Sequence, residues 1–382
     1  MLGRSLQLPE SRSFLLLGPR GTGKSTLLRA ALPDALVIDL LDLGVYAELT
    51  AHPERLAARI EGRPSPVVIL DEVQRVPALL DEVHRLIEQK RFRFALTGSS
   101  ARKLRRGNAN LLAGRARTLT MHPLTAAELG SQFRLQHSLR YGQLPTVYVE
   151  PDPERYLSSY VGTYLREEVQ AEALTRNLEA FSRFLVAASF SQASILSVSG
   201  VARELGLSRK TVEGYFELLV DLLLAVKLPV FTRRARRQVV AHPKFFFFDV
   251  GVYRTLRPRG PLDTKEEIDG AAVETLVLEE LRATNDNLDL GYELSYWHTR
   301  DHREVDFVLY GERGLLAFEV KRSAGFRAKD LEPLRLFLSD YPVAQCFLLH
   351  AGTDEYVVDG IRILPLEKAL PDLGRILEQG GR

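Results

Sequence analysis

The sequence predicts an α/β chain: a parallel sheet first, then a helical linker, a winged helix-turn-helix and a second α/β domain. Three observations carry this. Apolar runs alternate with helical rhythms from residue 1 to about 150, the pattern of a parallel sheet covered by helices. A glycine-rich turn joins the first of those runs to the first helix. At 382 residues, the chain is also too long for one ordinary core. The expected boundaries are 1–125, 126–190, 191–254 and 255–382.

The first run, Phe14 to Leu17, reads as a buried strand. It breaks at Gly18-Pro19-Arg20-Gly21-Thr22-Gly23-Lys24-Ser25-Thr26, and Leu27, Leu28, Ala30 and Ala31 begin a helix. Strand, glycine-rich turn and helix in that order make G-x-x-x-x-G-K-[ST] a phosphate site. Gly18, Gly21 and Gly23 let backbone N–H groups curl around a triphosphate without Cβ clashes. The helix points its positive end at the same anion. Lys24 is expected on the β- and γ-phosphates, and the Ser25 hydroxyl on Mg²⁺.

Ala35 to Leu40 is a second strand, and Leu56 to Ile60 a short helix. Pro66 to Leu70 is a third strand, ending in Asp71-Glu72. A strand-end acid roughly 50 residues after a phosphate loop suits Mg²⁺ held through water, here Asp71. Glu72 is then placed to orient or deprotonate the attacking water. Pro77 to Glu88 repeats its apolar residues helically, and Phe92 to Leu96 is a fourth strand delivering Thr97-Gly98-Ser99-Ser100. Thr97 or Ser99 can sense the γ-phosphate there; the alternative is a polar turn with serine as a helix cap. Leu119 to His122 reads as a fifth strand. Just before it, Arg115 and Arg117 offer guanidinium groups for transition-state charge, within the chain or across a contact between subunits of a homo-oligomer.

From Pro123 to about Phe190 the pattern turns helical, with Pro145, Pro151 and Pro153 at a joint. Val201, Ala202 and Leu205 line one helix, Gly206 supplies a turn, and Ser208 caps a second helix. That helix starts with Arg209 and Lys210, a face for DNA, and Arg233, Arg234, Arg236 and Arg237 follow as a basic wing. Packing of domains or partners is the alternative use of this element. Lys244-Phe245-Phe246-Phe247-Phe248 reads as a structural strand. In the last domain, Glu274 lies on a helix from Ala271 to Leu281. Asp306 lies on a strand from Glu304 to Leu309, and Glu319 and Lys321 lie on or at the end of one from Leu315 to Val320. Two carboxylates and a lysine converging this way suit Mg²⁺ and phosphodiester cleavage, with Glu274 as a third carboxylate.

Composition sets limits. A net charge of +2 excludes a chain that coats nucleic acid over its whole surface, so any basic face is local. The single cysteine, Cys346, excludes an internal disulfide and lies in an apolar run. No apolar run reaches membrane-spanning length, and no signal peptide is read at the N-terminus. The expectation is a soluble, cytoplasmic protein without a membrane partner.

With these residues in hand, the chain resembles a prokaryotic family of AAA-type ATPases fused to a C-terminal domain of unknown function. The marks are the phosphate loop, Leu70-Asp71-Glu72-Val73-Gln74, Leu96-Thr97-Gly98-Ser99-Ser100 and Leu112-Ala113-Gly114-Arg115. The C-terminal part, with Phe248-Asp249-Val250-Gly251 and the Asp306/Glu319/Lys321 set, looks like a PD-(D/E)XK nuclease, a restriction-endonuclease-like fold. Val305 stands where that pattern has proline. The resemblance implies ATP binding and a winged-helix element. Two functions follow as expectations. One is a Mg²⁺-dependent ATPase in DNA transactions, with a C-terminal half that binds or cuts DNA. The other is an ATP-driven switch whose C-terminal domains contact protein and cut nothing.

Overall fold

Alternate side chains of the first strand face opposite ways, and both faces are covered. In β1 (Ser13–Leu17), Phe14 and Leu16 pack with Leu28, Ile69, Ala95 and Met121. Leu15 and Leu17 pack on the other side with Leu70, Leu79, Leu80 and Leu96. That double burial is why the strand reads as an unbroken apolar run. The computed structural model describes residues 3–63, 65–90, 92–100, 114–164, 178–233, 242–261 and 263–379.

The chain divides into two units. One is Leu6–His122 with Asp221–Leu224; the other is Met1–Ser5, Pro123–Val220 and Ala225–Arg382. In the first, β1 leads to α1 (Lys24–Ala31), β2 (Leu36–Asp39), α2 (Leu43–Ala51) and α3 (Arg55–Glu61). Then come β3 (Val68–Asp71), α4 (Leu79–Lys90), β4 (Phe94–Gly98) and β5 (Ala116–Thr120). These form a five-stranded sheet in the order β2-β3-β4-β1-β5, with every pairing parallel. The fifth strand starts earlier than Leu119, because Ala116 already pairs with Ser13.

The second unit begins with short helices: α5 (Ala126–Leu129), α6 (Leu135–Tyr141) and α7 (Pro153–Ser159). Asp152 caps α7 and Pro153 opens it, and the helix widens to a π-helical turn at Tyr160–Tyr164. The longer α8 (Leu178–Ser189) precedes β6 (Ser194–Ile195), α9 (Val198–Leu205) and α10 (Arg209–Asp221). Gly206, in the left-handed region at φ 64°, ends α9, and the Ser208 hydroxyl accepts from the Thr211 N–H to cap α10. β7 (Ala225–Leu228) and β8 (Lys244–Phe247) close a three-stranded antiparallel sheet in the order β6-β8-β7.

After α11 (Val250–Leu256), α12 runs from Lys265 to Asn287, longer at both ends than its apolar rhythm indicates. Its start is fixed by Thr264, whose hydroxyl accepts from the Glu267 N–H. A six-stranded mixed sheet follows, in the order β13-β14-β12-β11-β10-β9. Its strands are β9 (Glu293–His298), β10 (Glu304–Gly311), β11 (Gly314–Lys321), β12 (Gln345–His350), β13 (Tyr356–Val358) and β14 (Ile361–Pro365). Helix α13 (Glu332–Asp340) covers it through Leu334 and Phe337, which pack on Trp297 and Val308. Cys346 is buried in β12. Among the described residues, no helix is long and apolar enough to cross a membrane.

Candidate functional site

The phosphate loop leaves β1 at the C-terminal edge of the parallel sheet, where α/β sheets place their ligands. Gly18 passes so close to the next strand end that a Cβ would stand 2.4 Å from the Met121 carbonyl. Gly21 and Gly23 hold φ of 81° and 91°, which a side chain would strain. The Thr22 hydroxyl donates to the Pro19 carbonyl at 2.8 Å and ties the loop across itself. Lys24 is buried, and its ammonium donates to the carbonyls of Gly18 and Pro19 at 2.7 and 3.1 Å. Arg20 and Thr26 are exposed on either side. Among the described residues, no side chain caps α1 and no acid stands in its first turn, so its positive end faces the loop.

Strand β4 lies between β1 and β3, so its last residues stand between the loop and Asp71. The Asp71 carboxylate accepts from the Ser25 hydroxyl at 3.0 Å and, through the same oxygen, from the Thr97 hydroxyl. The Thr97 hydroxyl in turn accepts from the Glu72 N–H at 2.9 Å. Glu72 sits at φ 60°, ψ 45°, a left-handed conformation that costs a non-glycine residue about 1–2 kcal/mol. Gln74 completes the group. Its amide donates to the Ser99 hydroxyl at 2.8 Å and to the Glu72 carboxylate. Thr97 and Ser99 therefore have separate contacts, Thr97 with Asp71 and Ser99 with Gln74. Gln74 was not anticipated as a site residue; an amide two positions beyond the strand-end acids was the available signal.

Ser25 and Asp71 bring a hydroxyl and a carboxylate oxygen together, a donor set that fits a hard divalent cation shared with phosphates. Arg115 does not join them. It precedes Ala116, the partner of Ser13, whereas the loop leaves Leu17, the partner of Thr120. The strand between these points spans about 13 Å, which puts Arg115 on the opposite edge of the sheet. There it pairs with Glu88 at 2.5 Å. The expectation that Arg115 reaches the phosphates of its own chain is corrected on that ground; Arg117 lies exposed in β5.

A second group of charges lies in the other unit. Lys321 and Glu319 share a face of β11 and pair at 2.5 Å, as strand alternation requires. Asp306 is buried on β10 and accepts from the Val320 N–H at 2.8 Å. Burial pushes the Glu319 carboxyl well up, Asp306 adds to this, and Lys321 counteracts it. Glu274, half-buried on α12, is pushed up to about 8, mainly by burial and against the pull of Lys244. Lys244 is the unexpected member. The first residue of the aromatic strand, it places its ammonium 3.3 Å from Glu274 and 3.7 Å from Asp306, and pairs with Glu304. Among the described residues, no three His, Cys, Asp or Glu side chains are disposed to hold a metal ion. Glu274 and Asp306 face the Lys244 ammonium, while Glu319 faces that of Lys321.

Of the basic residues expected to face DNA, Arg209 and Lys210 are exposed in the first turn of α10. Arg233 pairs with Glu293 at 2.8 Å and stacks over Tyr310. Arg234, Arg236 and Arg237 lie outside the described residues.

Residues 10–130 match a family model described as "AAA domain". Residues 132–263 and 269–369 match two domains of unknown function, DUF8612 and DUF4143. An uncharacterized protein of Haemophilus influenzae is 23% identical over 258 residues, which cover 63% of this chain and 62% of that protein. The chain thus spans about three fifths of the length of the curated relative it matches. Among solved structures, the replication initiator DnaA bound to AMPPCP and single-stranded DNA is similar at 14% identity and a TM-score of 0.29, over 55% of this chain and 82% of that one. Protein VC1899 from Vibrio cholerae is similar at 11% identity and a TM-score of 0.22, over 96% and 97%. At such TM-scores neither likeness bears on the fold. By the family matches, the chain carries an AAA-type P-loop domain followed by two domains of unknown function.

Proposed function

We propose that the chain binds ATP with Mg²⁺ at the β1–α1 loop and hydrolyses it, using the cycle as a switch for its second unit. The observation that carries this is the joining of Ser25, Asp71 and Thr97 through one carboxylate oxygen beside the Lys24 loop. Lys24, held inside the loop, meets the β- and γ-phosphates and offsets their charge. Ser25 and Asp71 hold the cation, which when bound neutralises charge on the phosphate oxygens. Glu72 takes the proton of the attacking water as the water oxygen bonds the γ-phosphorus and the bond from that phosphorus to the β-phosphate oxygen breaks, with ADP as the leaving group. Thr97 fixes both Asp71 and the Glu72 backbone, while Gln74 fixes the Glu72 side chain and links it to Ser99. The test is nucleotide binding by Lys24→Ala. ATP affinity should fall at least about tenfold, because the phosphates lose their main counter-charge. Normal affinity would remove the assignment.

For the second unit, exposure of Arg209 and Lys210 at the start of α10 supports a contact with DNA phosphates. The two helices and the three-stranded sheet in the order β6-β8-β7 support a winged-helix reading of residues 191–254. Substituting both residues by glutamate should weaken DNA binding and lower its salt slope by about 2. If the salt slope does not change, the protein-contact reading of this unit is preferred.

A further inference from the structure

The carboxylates of the second unit surround a cation that the chain itself supplies. Lys244 is 2% exposed, and three acids from two elements face its ammonium: Glu274 from α12, and Glu304 and Asp306 from β10. The ring of Tyr296 lies 5.5 Å away on a further side. His298 lies behind, 3.8 Å from Glu304. Asp306 commits its other oxygen to the Val320 N–H, and Glu319 gives one oxygen to Lys321. The second Glu319 oxygen is buried without a hydrogen-bond partner, the kind of atom a cation would ordinarily satisfy.

A hard divalent ion needs several of these oxygens at about 2.0–2.6 Å. They are drawn to an ammonium instead, and two cations at that spacing repel strongly. A cleft of about 230 Å³, lined by Gln192, Tyr253 and Glu266, reaches Glu274.

We propose that Lys244 is a tethered cation that fills this site and excludes divalent metal. The C-terminal domain is then closed to metal-dependent phosphodiester cleavage while the lysine is in place. The lysine comes from β8, whose Phe245 packs on Phe216 of α10, so the block is set by a neighbouring element and not by the carboxylates' own elements. This inference stands apart from the nucleotide reading.

The experiment is Mn²⁺ titration of the full chain without nucleotide, followed by electron paramagnetic resonance. Wild type, Asp306→Asn, Lys244→Ala and Lys244→Met are compared, with Lys244→Ala/Asp306→Asn as the control for site. Methionine keeps the packing of the lysine stem. Wild type should show no Mn²⁺ binding that depends on Asp306. A Lys244 variant should gain one site, at least about tenfold tighter than in wild type and lost again in the double variant. Thermal unfolding is read beside it, since an ion bound only by the folded chain raises Tm. Asp306-dependent binding in wild type would overturn the proposal. So would Lys244 variants that Mn²⁺ neither binds nor stabilises.

Discussion

One carboxylate oxygen of Asp71 accepts from Ser25 and from Thr97, so a single residue joins α1, β3 and β4. Another carboxylate, Glu280, bears on stability. It is 1% exposed, and one of its oxygens accepts from the Ala126 N–H at 2.7 Å. Burial pushes it up to about 8, while the Ala126 N–H and the Gln143 side chain pull it down. The folded chain therefore keeps a proton that the unfolded chain has released above the ordinary value of 4.5. Stability falls as pH rises from there through about 8. Glu280→Gln removes the charge while keeping the shape. Its loss of Tm between acidic and mildly alkaline pH should be smaller than that of wild type by a few degrees, on the order expected for one shifted group. Identical pH profiles would show that Glu280 does not carry this proton. At this scale, the phosphate loop was legible because its glycines answer backbone demands that sequence spacing records. Lys244 was not, because its partners come from distant elements. The available signal was a charge opening an aromatic run, where charge is costly without a partner.

Elements were legible where both faces of a strand are buried or a cap is written locally. β1, β3 and β4 read as apolar runs for that reason, and Gly206 marks the end of α9. The start of α12 was not legible that way: its apolar rhythm begins at Ala271, whereas the Thr264 cap starts the helix at Lys265. The strand order was not legible. Parallel pairing is decided by how helices pack on the sheet, and no local pattern says that β4 lies between β1 and β3. That placement turns Thr97 from a polar turn residue into the bridge between Asp71 and the Glu72 backbone. Arg115 stands away for a separate reason: parallel pairing with β1 puts the start of β5 at the edge of the sheet opposite the phosphate loop. The left-handed Glu72 follows from the same geometry. The chain must turn sharply after Asp71, and Thr97 holds the turn through the Glu72 N–H.

For the whole molecule, the two charge clusters lie in different units and do different things. In the proposed function the first, around Lys24, offers donors and a hard-cation site to a triphosphate. The second, around Lys244, supplies its own cation. With a net charge of only +2, any nucleic-acid contact must be local, which gives Arg209 and Lys210 their weight. The central claim is that the first cluster hydrolyses ATP, and Glu72→Gln tests it most directly, with ATP binding and turnover measured on the same preparation. Glutamine keeps the side chain's size but cannot accept the proton of the attacking water. The account predicts ATP affinity close to wild type and turnover lower by at least about 100-fold. Turnover equal to wild type, with binding intact, would contradict it.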